Sequence, residues 1–321
     1  MKIVKAVSPY HHPGFLNFKE GPYHAWEALG GKVAKAHYPW RFLHGLAYRW
    51  ELPTLWKNKK EARLRFVQPY TISFDTFPDY ARYEIIPFVW DCWPCHFEKM
   101  CAWLKKHNVR SAIFTSSQVA DFIRTQFPQM NVLAITEGIK GENYKEGLLL
   151  REREIDILEY GRNTDGVVNY CLSHLKIVRG QKDGENLLTS EELNKYLTES
   201  KVVLAYPKNW TNPELAGNIE TLTQRYWEGM LSRCVLVGHA PQELIDLVGY
   251  NPVIEINLTN ADEQLESIIQ NIEKYQDLVD RNRKAALKYS GWEIRIKKIM
   301  EWLCSVGYYA KYVVKKEGCF Y

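Results

Sequence analysis

The chain has 321 residues, a length that predicts about two domains. Its 46% hydrophobic and 25% charged residues are ordinary for a globular protein and exclude disorder, collagen and coiled coil as the main state. The formal net charge of +4 hides a division: residues 1–136 hold 18 Lys and Arg against 10 Asp and Glu, while residues 137–321 hold 24 against 28.

In chain order, KIVKAV reads as a buried strand followed by the Pro/Gly loop SPYHHPG. Residues 57–65, KNKKEARLR, read as a basic loop or a solvated helix face. RYEIIPFVWD is an apolar run ending at Asp91. Phe97, Met100, Cys101 and Leu104 recur at helical spacing, with Lys105 and Lys106 in the last turn. RSAIFTSS reads as a strand, SQVADFIRTQF as a helix capped by Ser116 or Ser117, and NVLAITEG as a strand. Residues 138–153 read as a linker, after which the alternation restarts. IDILEYG is a strand, GRNTDG its loop, VVNYCLSHL a helix and KIVRG a strand. TSEELNKYLTES opens with a capping box, Thr189 or Ser190 with Glu192 or Glu191. KVVLAYP, CVLVG and PVIEIN are strands. They are separated by the helices ETLTQRYWEGMLSR and PQELIDLVG, the second ended by Gly249. Residues 261–289 form one long helical stretch, and GWEIRIKKIMEWLCSVG closes the series. Strand–helix alternation of this kind predicts α/β architecture: two doubly wound, Rossmann-like parallel sheets, in domains 1–137 and 138–321. Ligands of open parallel sheets bind beyond the carboxyl ends of the strands, so a cleft between two such domains is the expected site.

The most specific stretch is GNIETLTQRYWEGMLSRCVLVG, where seven residues separate Glu220 from Glu228. Eight positions on a helix turn about 800°, so the two carboxylates do not share one line of it. They meet one extended ligand only if Glu220 stands at the helix entrance and Glu228 on its side. The entrance amides of Thr221, Leu222 and Thr223 and the helix dipole would suit a diphosphate, with the threonine hydroxyls as further donors. Arg225 would bind phosphate or carboxylate, or else form a structural ion pair. On spacing alone the same stretch also reads as a polar helix start with a solvated Glu228.

The run PKNWTNPELAGNIETLTQRYWEGMLSRCVLVGHAPQELIDLVGYNPVIE resembles the C-terminal domain of bacterial group 1, family 4-like glycosyltransferases of the GT-B fold. Glu220 and Glu228 match that family's glutamate pair. IDILEYGRN resembles the first strand of the same domain, and Arg162 matches the arginine that contacts the donor diphosphate. WEIRIKKIMEWL, within 292–305, resembles the closing helix that crosses back to the first domain. Three departures stand out. No lysine follows the Gly-Arg pair in DGVVNY, so Lys208 becomes the substitute cation. Thr-Leu-Thr replaces a Gly-Phe-Gly. The first domain lacks a Gly-Gly loop, SPYHHPGF standing in its place. The resemblance implies transfer of a sugar from a nucleotide-diphosphate sugar to a glycan or lipid-linked acceptor, with retention, as in polysaccharide or glycoconjugate biosynthesis. It implies no obligatory metal and no cofactor beyond the co-substrate. Glu220 would be the catalytic residue. Glu228 would take the ribose hydroxyls, and Arg162, Lys208, Arg225 and the 221–223 amides the diphosphate. His11, His12 and Asp91 would lie on the acceptor side, and the basic first half also suits an anionic membrane surface.

Rival readings are an epimerase or hydrolase on the same fold and a thiol oxidoreductase. Cys92 and Cys95 form C-x-x-C before a helix, similar to a thioredoxin active site. Cys92, Cys95, His96 and Cys101 have the count of a zinc site but lack a distant second pair. Seven cysteines without an export signal or an uncharged apolar span suggest a cytoplasmic protein with reduced thiols. No dinucleotide, P-loop or nucleic-acid signature occurs.

Overall fold

The structure is a computed structural model and describes residues 1–8, 20–35, 57–161, 167–168, 170–182, 185–186 and 188–310. It divides into two units, Met1–Gly138 with the segment starting at Trp292, and Ile139–Gly291. The first runs through β1 (Lys2–Val7), α1 (Glu20–Ala28), β2 (Lys32–Ala34), β3 (Glu61–Val67), β4 (Glu84–Val89), α2 (Phe97–Lys106), β5 (Ser111–Phe114), α3 (Ser117–Gln126) and β6 (Asn131–Ala134). The second holds β7 (Ile155–Glu159), β8 (Ile177–Arg179), the antiparallel pair β9 (Gln181–Lys182) and β10 (Glu185–Asn186), α4 (Ser190–Glu199) and β11 (Ser200–Ala205). It continues with α5 (Gln224–Leu231), β12 (Val235–Gly238), α6 (Gln242–Val248), β13 (Val253–Glu255), α7 (Ala261–Gln270) and α8 (Gln276–Tyr289). The last elements, α9 (Trp292–Ser305) and β14 (Tyr308–Tyr309), belong to the first unit.

The first unit's sheet has the order β14-β1-β3-β4-β5-β6, all parallel, with β2 also parallel to β1. Lys2 and Ile3 face Tyr308 and Tyr309, and Lys5 to Val7 face Lys32 to Ala34. β14 and β2 therefore follow one another along the edge of β1 turned away from β3. Val4, Leu64, Phe66, Ile86, Phe88 and Trp90 pack on Trp26 of α1 and on Trp292, Ile296, Ile299 and Met300 of α9. Each large side chain so buried contributes about 1.5–3 kcal/mol relative to exposure.

The second unit's sheet is also parallel, in the order β13-β12-β11-β7-β8. Counted within the unit this is 5-4-3-1-2, a doubly wound order whose direction reverses between β7 and β11. Leu158, Tyr160 and Val203 face α4, α5 and α6 through Leu197, Trp227, Met230 and Leu244. Ile157, Val202, Leu204 and Tyr206 face α7 through Leu265 and Ile268.

Local signals account for several boundaries. Ser116 caps α3 by accepting from Val119 N, Thr189 and Glu192 form a reciprocal capping box on α4, and α6 ends on Gly249 at φ 81.

Four expectations need correction. KNKKEARLR is neither loop nor solvated helix from residue 61 on, because it enters the buried strand β3. Arg63 and Arg65 are buried there, Arg63 bonded to Glu61 and stacked 3.7 Å over Tyr83, Arg65 donating to Asp75 O and lying 3.5 Å from Asp79. Within VVNYCLSHL the described residues form turns, not a helix. Val168 and Leu172 reach the core without one, Cys171 N donates to Asp262, and the run is poor in strong helix formers. The stretch 261–289 breaks after Gln270, where Asn271 bonds back to Ser267 O and a short 3-10 turn intervenes. The helix predicted from Glu220 starts only at Gln224.

Candidate active site

The late start of α5 has a physical cause. Glu220 Oε2 accepts from Gln242 N at 3.3 Å, and Leu222 N donates to Glu243 Oε2 at 3.2 Å. These bonds tie residues 220–222 to the first turn of α6 and hold them out of the helix. The amide of Leu222, expected on a diphosphate, is therefore committed to Glu243, and Leu222 itself is 1% exposed. Thr223 is the N-cap of α5, extended at φ −99 and ψ 163, and its side chain makes no capping bond. Thr221 and Thr223 are both half-buried. The entrance amides thus belong to Gln224 and Arg225, one turn later than the spacing suggested.

Three side chains meet where β7 ends. Glu228 is buried in α5, and its two oxygens accept from Tyr144 Oη at 2.7 Å and Tyr160 Oη at 2.8 Å. Burial, reinforced by that carboxylate, pushes both phenols above their ordinary range. Expected on ribose hydroxyls, Glu228 here holds two phenols. Arg225, one turn earlier, is 8% exposed. Its Cζ lies 5.3 Å from the Tyr160 ring centroid, and its Nη2 fills the place that a Cβ on Gly161 would need. Gly161 has φ 81, a backbone that favours glycine. Among the described residues neither Nε nor Nη1 of Arg225 has a hydrogen-bond partner. The ion-pair alternative for Arg225 is absent there.

Glu220 has other neighbours. Its Oε1 lies 3.0 Å from Nε2 of His239, whose Nδ1 lies 2.8 Å from Glu255 Oε2. His239 follows β12, stacks on Trp210 at 4.6 Å and 16°, and Trp210 stacks in turn on Tyr206. Lys208 opens the one-turn helix after β11, half-buried. Tyr160, Lys208, His239 and Glu255 all follow or end strands of the second sheet, on its carboxyl edge, as the parallel-sheet rule requires.

In the first unit, Asp91 follows β4 at φ 50, with Gln68 Nε2 at 3.5 Å and Tyr70 donating to Gln68 Oε1 at 2.6 Å. Cys92 next to it is buried, and that burial drives its thiol far above the ordinary range. A redox cysteine sits in an accessible, electropositive place, which the buried Cys92 does not have, whereas Cys95 of the same motif is exposed. Among the described residues no three His, Cys, Asp or Glu could hold a metal ion, and no helix is long and apolar enough to cross a membrane. Arg162, His11 and His12 lie outside the described residues.

Neither a protein-family model nor a curated protein matches the sequence. Solved structures do match. HepE from Anabaena, in complex with UDP and glucose, aligns with a TM-score of 0.55 over 94% of this chain and 99% of its own, at 11% identity. AviGT4, a glycosyltransferase involved in avilamycin A biosynthesis, gives 0.54 over 94% and 97%, at 13% identity. TarM gives 0.50 at 12% identity over 75% of this chain, which spans 54% of TarM. The chain has the GT-B fold.

This GT-B chain carries functional candidates that sequence reasoning missed. Tyr144 lies inside the segment read as a linker and Tyr160 within IDILEYG, while His239 comes just after CVLVG and Glu255 lies within PVIEIN. One signal was available: in a parallel sheet the residue after each strand stands at the ligand edge.

Proposed function

We propose that the chain is a glycosyltransferase that takes a sugar from a nucleotide-diphosphate sugar and transfers it, with retention, to a glycan or lipid-linked acceptor. The observation that carries this reading is Arg225. Arginine does not lose its proton in proteins, and among the described residues two of the three nitrogens of this buried guanidinium, Nε and Nη1, have no hydrogen-bond partner, a costly state until an anion meets them. It lies beside glycine backbone and the first turn of α5, at the carboxyl edge of a doubly wound sheet, where a diphosphate suits both. As the bond from the anomeric carbon to the diphosphate breaks, negative charge grows on the leaving oxygens. Arg225, Lys208 and the amides of Gln224 and Arg225 would stabilise it, with Arg162 as a further cation. Glu220 would hold the sugar. Asp91 and the basic first unit would serve the acceptor, and that charge suits an anionic lipid carrier.

The test is a thermal-shift screen with UDP, GDP, dTDP, ADP and CMP, followed by calorimetry with the matching nucleotide sugars. A nucleoside diphosphate is expected to raise the melting temperature, by mass action on the folded state. Binding of none of them overturns the reading.

A further inference from the structure

We infer that Glu255 and His239 are positioning residues that orient Glu220 toward the sugar of the donor, an assignment that rests on the function proposed above. Glu220 belongs to an irregular loop, and a glutamate there has three free torsions. The geometry removes that freedom through a chain of contacts. Ala240 N and Asn251 Nδ2 both donate to Glu255 Oε1 at 3.1 Å. Glu255 Oε2 meets His239 Nδ1 at 2.8 Å, and His239 Nε2 meets Glu220 Oε1 at 3.0 Å.

The imidazole between the carboxylates is itself fixed on every side. Its backbone N donates to Ala205 O at 3.0 Å, its carbonyl accepts from Tyr226 Oη at 2.7 Å, and its ring lies flat against Trp210. Gln242 N holds the second oxygen of Glu220. A carboxylate offers about four lone-pair sites on its two oxygens, so a sugar hydroxyl can donate to Glu220 alongside the contacts from His239 and Gln242. The side-chain contacts named from Glu255 through His239 to Glu220 do not include Arg225, Gly161, Tyr160 or Glu228. The imidazole of His239 is therefore separate from the groups proposed for the diphosphate.

That separation supplies a test. Affinities for the free nucleotide and for its nucleotide sugar are measured by calorimetry on wild type, His239→Phe, His239→Gln and Glu255→Gln. The ligands are the nucleotides above with UDP-glucose, UDP-galactose, UDP-N-acetylglucosamine, GDP-mannose, dTDP-glucose and ADP-glucose, and each melting temperature is recorded alongside. His239→Phe keeps the stack on Trp210 and loses both ring nitrogens. It is expected to keep nucleotide affinity within about twofold and lose about tenfold for the nucleotide sugar, the size of one hydrogen bond to a charged group. His239→Gln, which retains one N–H for Glu220, recovers part of that loss, and Glu255→Gln falls between. Equal changes for both ligands, or none, overturn the inference. So does a wild type that binds a nucleotide but no sugar derivative more tightly. A wild type that binds no nucleotide at all instead overturns the proposed function itself.

Discussion

Nη2 of Arg225 occupies the space in which a Cβ on Gly161 would stand. The junction they form is charged, buried and lined by backbone. Such a guanidinium trades stability for binding. Arg225→Met is therefore expected to leave thermal stability equal or higher, by up to about 1–4 kcal/mol. It should weaken nucleoside-diphosphate binding by at least about tenfold, or ~1.4 kcal/mol. Calorimetric unfolding and titration on one preparation check both signs.

Glu228 predicts a different balance. Its carboxylate is buried between two phenols, so deleting a hydroxyl exposes a charge to an apolar neighbour. Tyr160→Phe is expected to cost about 1.5–3 kcal/mol in urea unfolding, as for other hydrogen bonds to charged groups. The pair Tyr144→Phe and Tyr160→Phe should be non-additive, because both hydroxyls serve one carboxylate.

The acid limb of stability should report Glu84. Burial raises its pKa, but hydrogen bonds from Lys2 and Tyr308 outweigh that and hold it below its ordinary 4.5. A carboxylate depressed in the folded state contributes stability above its unfolded pKa and loses it as pH falls through the folded value. Wild type should therefore lose stability below about pH 4.5. Glu84→Gln should be weaker at neutral pH and show a shallower acid slope, as read by denaturant midpoints across pH.

The cysteines give a chemical test of the thioredoxin-like reading. Cys95 is exposed and Cys92 buried with a raised pKa. Iodoacetamide should label Cys95 in the native protein and spare Cys92 until it unfolds, as followed by peptide mass spectrometry.

Much of the fold was legible because its cues are local. Ser116, Thr189 with Glu192, and Gly249 each mark a helix end by chemistry within one turn. β3 was less legible because Arg63 and Arg65 look solvated in sequence, while Tyr83, Asp75 and Asp79, on which they settle, lie ten to twenty positions away. The site was half legible for the same reason. The glutamate spacing drew attention to Glu220, Glu228 and Arg225. What each carboxylate touches depends on Tyr144, Tyr160, His239 and Gln242, which only folding brings near.

α9 and β14 complete a core whose other strands come from the opposite end of the chain. Trp292 stands edge-on to Trp90 at 6.0 Å, and Tyr308 bonds to Glu84 and contacts Ser111 at 3.1 Å. The second unit, by contrast, is one continuous segment. On a ribosome the two units therefore meet different schedules. Residues 139–291 can fold as soon as they emerge, whereas the earlier-made sheet must wait with part of its core uncovered until its last helix is released.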